Sequence, residues 1–179
     1  GISVLLYDEA ANASYEHGLS QFLLLARILS QIDHPGRVVH YQEQNDTAWY
    51  AMNFEARASL GDLLVTGKRL PENALQSVLD SALIFLDAAH QDEIFHLELG
   101  PGQLILSAEE ELVVCGFNVA RLRGPDYREI EAAYYFAPEH LHTAGRLGAW
   151  SDFYSLGTIL CHGLHPRMPP TAARRQAAL

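Results

Sequence analysis

The sequence predicts an α+β fold, its strands mostly gathered in hairpins and its helices separate from them. Three observations predict it. Val38–Gln42 and Thr47–Phe54 read as strands joined through Glu43-Gln44-Asn45-Asp46, and Gln103–Leu106 and Glu111–Cys115 repeat that arrangement around an acidic turn. A stretch opened by Pro71 places Leu75, Val78, Leu79, Ala82, Leu83 and Leu86 on one stripe at helical spacing. The second half of the chain is mostly helical, unlike the strand–helix alternation of a parallel sheet.

At 179 residues the chain can bury a substantial core, in one domain or two small lobes. Its 12 Lys+Arg against 22 Asp+Glu give a formal charge of −10, which argues against a general nucleic-acid or anionic-membrane partner. Eleven of the twelve basic residues are arginine, and Lys68 is the sole lysine. Cys115 and Cys161 make no disulfide framework, so a cytoplasmic location is expected. No apolar run reaches the length of a membrane span and no signal-peptide pattern is present, so no membrane insertion by this segment is expected. The strand-like start suggests a fragment of a longer polypeptide.

In order, Ile2–Tyr7 reads as a strand apolar on both faces, and the polar run Asp8–Ser20, with Gly18, as a loop. Phe22, Leu25, Leu29 and Ile32 predict a helix over Ser20–Ile32 with Ser20 as N-cap, ended by Asp33-His34-Pro35-Gly36. After the first hairpin, Ser59–Leu64 reads as a short helix and Gly67-Lys68-Arg69 as a turn, before the long helix from Pro71. His96–Gly102 leads into the second hairpin, Gly116–Glu139 is irregular, and Ser151 to about His162 is a buried helix. The tail Pro166–Leu179, with three prolines, reads as partly loose.

Two motifs then stand out together: Ala137-Pro138-Glu139, and Ser151-Asp152-Phe153-Tyr154-Ser155-Leu156-Gly157. In combination they resemble the stretch of a protein kinase where the activation segment ends and the central C-lobe helix begins. Ile2–Tyr7 and Phe22–Pro35 are similar to the strand and helix that precede the first hairpin in bacterial Ser/Thr kinases. The resemblance covers nearly the whole chain. It implies a two-lobed kinase-like fold: residues 1–54 as a reduced N-lobe, an antiparallel sheet without the glycine-loop strands plus one helix, and residues 55–179 as a mainly helical C-lobe truncated after its central helix.

Phosphoryl transfer depends on positioning and charge neutralisation, so the family requires a particular set of charges. By the register of the resemblance, the phosphate-binding lysine is Leu5 and its glutamate partner is Leu25. An ion pair is thereby exchanged for an apolar contact, a swap that is often neutral or stabilising. His96-Leu97-Glu98 stands for His-Arg-Asp, Gly100 for the catalytic lysine and Gln103 for the second-metal asparagine. Gly116-Phe117-Asn118 stands for Asp-Phe-Gly, so the magnesium-binding carboxylate is missing at Gly116. Residues 116–139 contain no Ser or Thr, and the usual threonine is Ala132. What the resemblance retains is structural: Leu29, His96 and Phe117 as an internal spine, with His40 as a fourth candidate, and Asp152 and Glu139 as anchors.

The expectation is therefore a pseudokinase, not an enzyme, with no cofactor, no metal and little capacity for nucleotide. It would act as a protein-interaction, scaffolding or allosteric regulatory module. Its partner would be a protein, another domain of the same polypeptide or a second copy. The alternative is an atypical nucleotide-dependent transferase using Glu98 and Asn118 with a cation from outside the chain, and a third is an apolar ligand beside Leu5 and Leu25. Cys115 reads as a buried strand cysteine or a reactive thiol. His140, His142, Cys161, His162 and His165 form no recognised zinc set. Met52 reads as core or pocket border, and Trp49, Tyr134, Tyr135 and Phe136 as a contact surface or as core.

Overall fold

A computed structural model describes residues 9–33, 36–108, 111–117, 134–141, 145–165 and 167–178, and for residues 9–14 the backbone alone. The expected strand Ile2–Tyr7, and with it Leu5, lies outside the described residues, as do Asn118, Ala132 and His142.

Helix α1 spans Glu9–Leu29, 21 residues, so it begins eleven positions before the expected start at Ser20. Ala10, Ala11, Ala13, Glu9 and Glu16 are strong helix formers, and one Gly18 costs the helix only about 1 kcal/mol relative to alanine. Ser20 is no cap; its hydroxyl donates back to the Glu16 carbonyl at 2.9 Å, one turn earlier. The helix buries Leu25, Ala26 and Leu29. Phe22 stacks on Tyr50 at 5.2 Å and the Tyr15 hydroxyl donates to the Asp46 carbonyl, so α1 lies along the first hairpin.

That hairpin pairs β1 (Val38–Gln44) with β2 (Thr47–Met52) antiparallel, in one register from Gln44↔Thr47 to His40↔Ala51 and shifted before Val38↔Met52. Asn45 and Asp46 both have φ 55°, the left-handed pair of a type I′ turn, so the connection is two residues long instead of the expected four. The second sheet has three strands in the order β3 (Ala56–Ser59), β4 (Leu104–Ser107), β5 (Leu112–Val114). The last two match the expected second hairpin. Strand β3, absent from the expected elements, pairs antiparallel with β4; Ala56-Arg57-Ala58-Ser59 is short and carries no β-branched or aromatic residue to mark it.

Ser59 also caps α2 (Leu60–Leu64). Its hydroxyl accepts the Asp62 N–H at 3.0 Å while the Asp62 carboxylate accepts the Ser59 N–H at 2.8 Å, a closed capping box. Helix α3 (Glu72–Gln91) follows Pro71 and buries Leu75, Val78, Ala82, Phe85, Leu86 and Ala89. The stripe is turned slightly from expectation: Phe85 is inside and Leu83 is exposed. Helix α4 (Ala149–Leu164) runs antiparallel to α3, with His90 near its start and Leu75 against its end. Gly163 permits this close approach: a Cβ there would sit 2.5 Å from a Leu75 methyl, and Leu75 would have to shift. The tail is more ordered than expected: Thr171 caps α5 (Ala172–Gln176), Ala172 is buried, and the Arg175 guanidinium lies 5.2 Å from the Tyr154 ring centroid. Among the described residues, no helix is long and apolar enough to cross a membrane.

Candidate functional site

The site is the loop from Ile94 to Gly100, held between the end of α3, the start of α4 and the turn after β5. Its anchor is Asp152, fully buried in the first turn of α4. Asp152 Oδ1 accepts the Leu97 N–H at 2.7 Å, and Oδ2 accepts the His96 N–H at 2.8 Å and the His90 Nε2–H at 2.8 Å. Two successive amides pointing at one carboxylate require a sharp local turn. Leu97 supplies it at φ 65°, a left-handed conformation that a leucine holds only when its surroundings over-determine it. Its carbonyl bonds His140 Nε2, and its side chain is buried.

His96 is buried and its ring meets Phe117 at 4.6 Å; Phe117 meets Phe85 at 5.3 Å. His96 Nε2 donates to the Cys115 carbonyl at 2.9 Å, leaving Nδ1 shielded with no hydrogen-bond partner among the described residues. Burial pushes the imidazole below its ordinary pKa of 6.5, opposed by the Asp152 carboxylate and the Cys115 carbonyl. Leu25 and Leu29 of α1 are buried in the same core as Phe117. His40 does not join this stack; it is exposed on β1, 5.1 Å from the Trp49 ring.

Three positions at the loop's far end are fitted to one another. The Gln103 side chain folds back so that Oε1 accepts the Gly100 N–H at 2.9 Å. A Cβ at Gly100 would come within 2.9 Å of that same oxygen, and a Cβ at Gly116 within 3.1 Å of Gln103 Cγ. Gly116 has φ 80°, which glycine adopts without strain. Gln103 thus occupies the space between two glycines. Its own carbonyl accepts the Cys115 N–H at 3.0 Å, tying the loop to the turn that carries Gly116 and Phe117.

Glu98 is half-buried beside this set. Glu139 accepts the Ser151 hydroxyl at 2.6 Å, which ties the Pro138–Leu141 turn to the head of α4. Burial raises the Cys115 thiol pKa, which keeps it protonated and favours the inert strand cysteine over the reactive thiol. His140 sits between the Ala137 and Leu97 carbonyls, His162 Nδ1 faces the Tyr135 hydroxyl at 2.8 Å, and His165 Nδ1 the Cys161 carbonyl at 3.2 Å. Among the described residues, no group of three or more His, Cys, Asp or Glu could hold a metal ion. Met52, half-buried, packs against the core; Tyr135 and Phe136 are buried and Trp49 is exposed.

Beside Asp152 and the His96–Phe117 contact stand residues to which sequence reasoning gave no such role: His90, Phe85, His140 and Ser151. His90 carried one usable signal: a histidine in the last turn of an amphipathic helix, six residues before His96. The others become visible only when distant segments meet.

The protein kinase domain family matches this chain over residues 11–178. Among similar proteins are the serine/threonine-protein kinase RUNKEL of Arabidopsis thaliana, 26% identical over 83% of this chain and 11% of that protein, and serine/threonine-protein kinase PknA of Corynebacterium glutamicum, 28% identical over 86% and 35%. Serine/threonine-protein kinase ULK3 of Rattus norvegicus is 30% identical over 90% of this chain and 34% of that protein. The chain thus spans about a third or less of the length of these relatives. Their names correct one expectation. The sequence reading, on its substituted charges, held the chain not to be an enzyme with little capacity for nucleotide; the relatives are named serine/threonine-protein kinases, and the matched family is one of enzymes.

Proposed function

The chain belongs to the protein kinase domain family, and on that premise we propose that it serves as a protein-interaction or allosteric regulatory module built on the kinase fold. The observation that carries this reading is the interlock of Gly100, Gln103 and Gly116. At the positions where the resemblance implies a catalytic lysine, a metal-binding asparagine and a metal-binding aspartate, the chain holds residues satisfied by one another. The Gln103 oxygen is engaged by a backbone amide, and a larger residue at either glycine would collide with that side chain. The Asp152-centred hydrogen bonds, by contrast, hold the surrounding loop firmly. A rigid scaffold of this kind suits a surface that a partner reads. The partner would be another domain of the same polypeptide, a different subunit or a second copy, in the cytoplasm. Residues 1–54 and 55–179 would act as the two lobes of that single unit.

A second reading is favoured by the relatives' names: a nucleotide-dependent transferase in which Glu98 and Asn118 act with a cation supplied from outside the chain. Crosslinking within the full-length protein, paired with calorimetric titration of this chain with ATP and magnesium, separates the two. The module reading expects a reproducible set of crosslinks from this domain to its partner, unchanged by Glu98→Gln. Micromolar nucleotide binding and transfer of labelled phosphate, both abolished by Glu98→Gln or Asn118→Ala, would establish the transferase instead.

A further inference from the structure

We propose that His96 is a proton-operated latch: its neutral ring holds the turn Cys115–Phe117 against the Ile94–Gly100 loop, and its protonated ring lets that turn go. The latch stands apart from the module reading above, and neither needs the other.

Hydrogen bonding carries it first. The Cys115 carbonyl can only accept, so its contact with His96 Nε2 at 2.9 Å places the ring proton on Nε2. Nδ1 is then a bare lone pair, shielded from water and with no hydrogen-bond partner among the described residues. A proton arriving there makes a cation of a ring that is only 1% exposed, at a nitrogen no partner meets. The ring fits its place in one protonation state only.

The second observation is what the ring holds. It touches the turn twice, at the Cys115 carbonyl and at the Phe117 ring, 4.6 Å away. Between those two contacts Gly116 stands at φ 80°, a residue whose backbone changes region at little steric cost. The loop side of the latch is fixed by other means. Asp152 accepts the His96 and Leu97 amides at 2.8 and 2.7 Å, and neither bond involves the imidazole. Loss of the ring contacts therefore frees the turn and leaves the loop in place.

The surrounding groups set the direction. From α4, Asp152 favours a charged ring, but its oxygens already accept three N–H groups, the third from His90 of α3. On the strand side, burial raises the pKa of Cys115 and of Tyr50, so both stay uncharged in acid. Leu25 and Leu29 of α1 and Phe85 of α3 are apolar members of the same core. In the loop Glu98 is half-buried, and His140 of the Pro138–Leu141 turn reaches the Leu97 carbonyl. Asp152, and after it the carbonyls of Cys115 and His96 itself, favour the proton; burial outweighs them and keeps the imidazole below its ordinary 6.5. The latch is closed at neutral pH and opens in acid.

The test is NMR of the whole chain, with nitrogen-labelled histidine and carbon-labelled phenylalanine rings, titrated from about pH 7.5 to about pH 4.5. At neutral pH the long-range proton–nitrogen correlations of His96 should show the proton on Nε2. On acidification His96 should take up its second proton in a step that shifts the Phe117 ring signals with the same midpoint, while the His96 and Leu97 amides stay protected from exchange. Phe117→Leu keeps an apolar side chain but removes the ring contact, and should move that midpoint up toward 6.5. The wild-type titration decides by itself if that variant folds poorly. A neutral ring protonated on Nδ1, a His96 that stays neutral until the whole domain unfolds, or protonation that leaves Phe117 unmoved would overturn the latch. So would loss of His96 and Leu97 amide protection in the same step, or a midpoint unchanged in a folded Phe117→Leu. None of these results bears on the module reading, which the crosslinks test.

Discussion

The loop around Asp152 and the β1–β2 hairpin are built by opposite means. In the loop, two backbone amides and a histidine converge on one buried carboxylate, and the next layer is the His96–Phe117–Phe85 ring stack. In the hairpin, the turn Asn45–Asp46 and cross-strand pairing define the register, while β1 is exposed at every position after Val38. The loop is specified by distant residues and tolerates little change. The hairpin is specified locally and leaves its side chains available.

Breaking the loop should have the largest effect. Asp152→Ala orphans the His96 and Leu97 amides in a buried site and should cost about 3–5 kcal/mol, measured as a shift in urea unfolding. Next comes the glycine interlock. Gly116→Val forces a β-branched residue to φ 80° and against Gln103, and should cost about 2–3 kcal/mol. Adding Gln103→Ala should recover the steric part and leave the backbone part, which a double-mutant cycle resolves. Acid is a gentler probe. His96 has its pKa depressed in the folded state, so the unfolded chain takes up a proton first; stability is complete above about pH 6.5 and falls as pH drops below that value toward the folded pKa. For this one group the slope is bounded by about 1.4 kcal/mol per pH unit, and it should flatten in His96→Gln. The smallest effect belongs to the hairpin, where Trp49→Ala on an exposed face should change stability by less than about 0.5 kcal/mol.

The same contrast governs what the sequence made legible. Both hairpins, the stripe on α3 and the central helix α4 follow from periodicity and turn chemistry, which act over neighbouring residues. The early start of α1 did not, because Glu9–Ser20 has helix-forming alanines but no apolar stripe to mark it. Strand β3, paired with β4, did not either, being short and without a β-branched or aromatic residue to mark it. Within the site, Asp152 was legible from its motif, while His90, 62 residues away in sequence, was not, since its role exists only once α3 and α4 pack antiparallel. Gly100, Gln103 and Gly116 were each legible as substitutions; that they fit one another is a fact of geometry alone.

Native-state hydrogen exchange tests the central claim most directly, because it reads single amides. The His96 and Leu97 amides should exchange only through unfolding of the whole domain, far more slowly than the exposed turn amides of the hairpin, and Asp152→Asn should bring them down toward local opening. If those two amides exchange as fast as the hairpin turn in the wild-type chain, or are untouched by Asp152→Asn, the buried carboxylate is not what holds the loop.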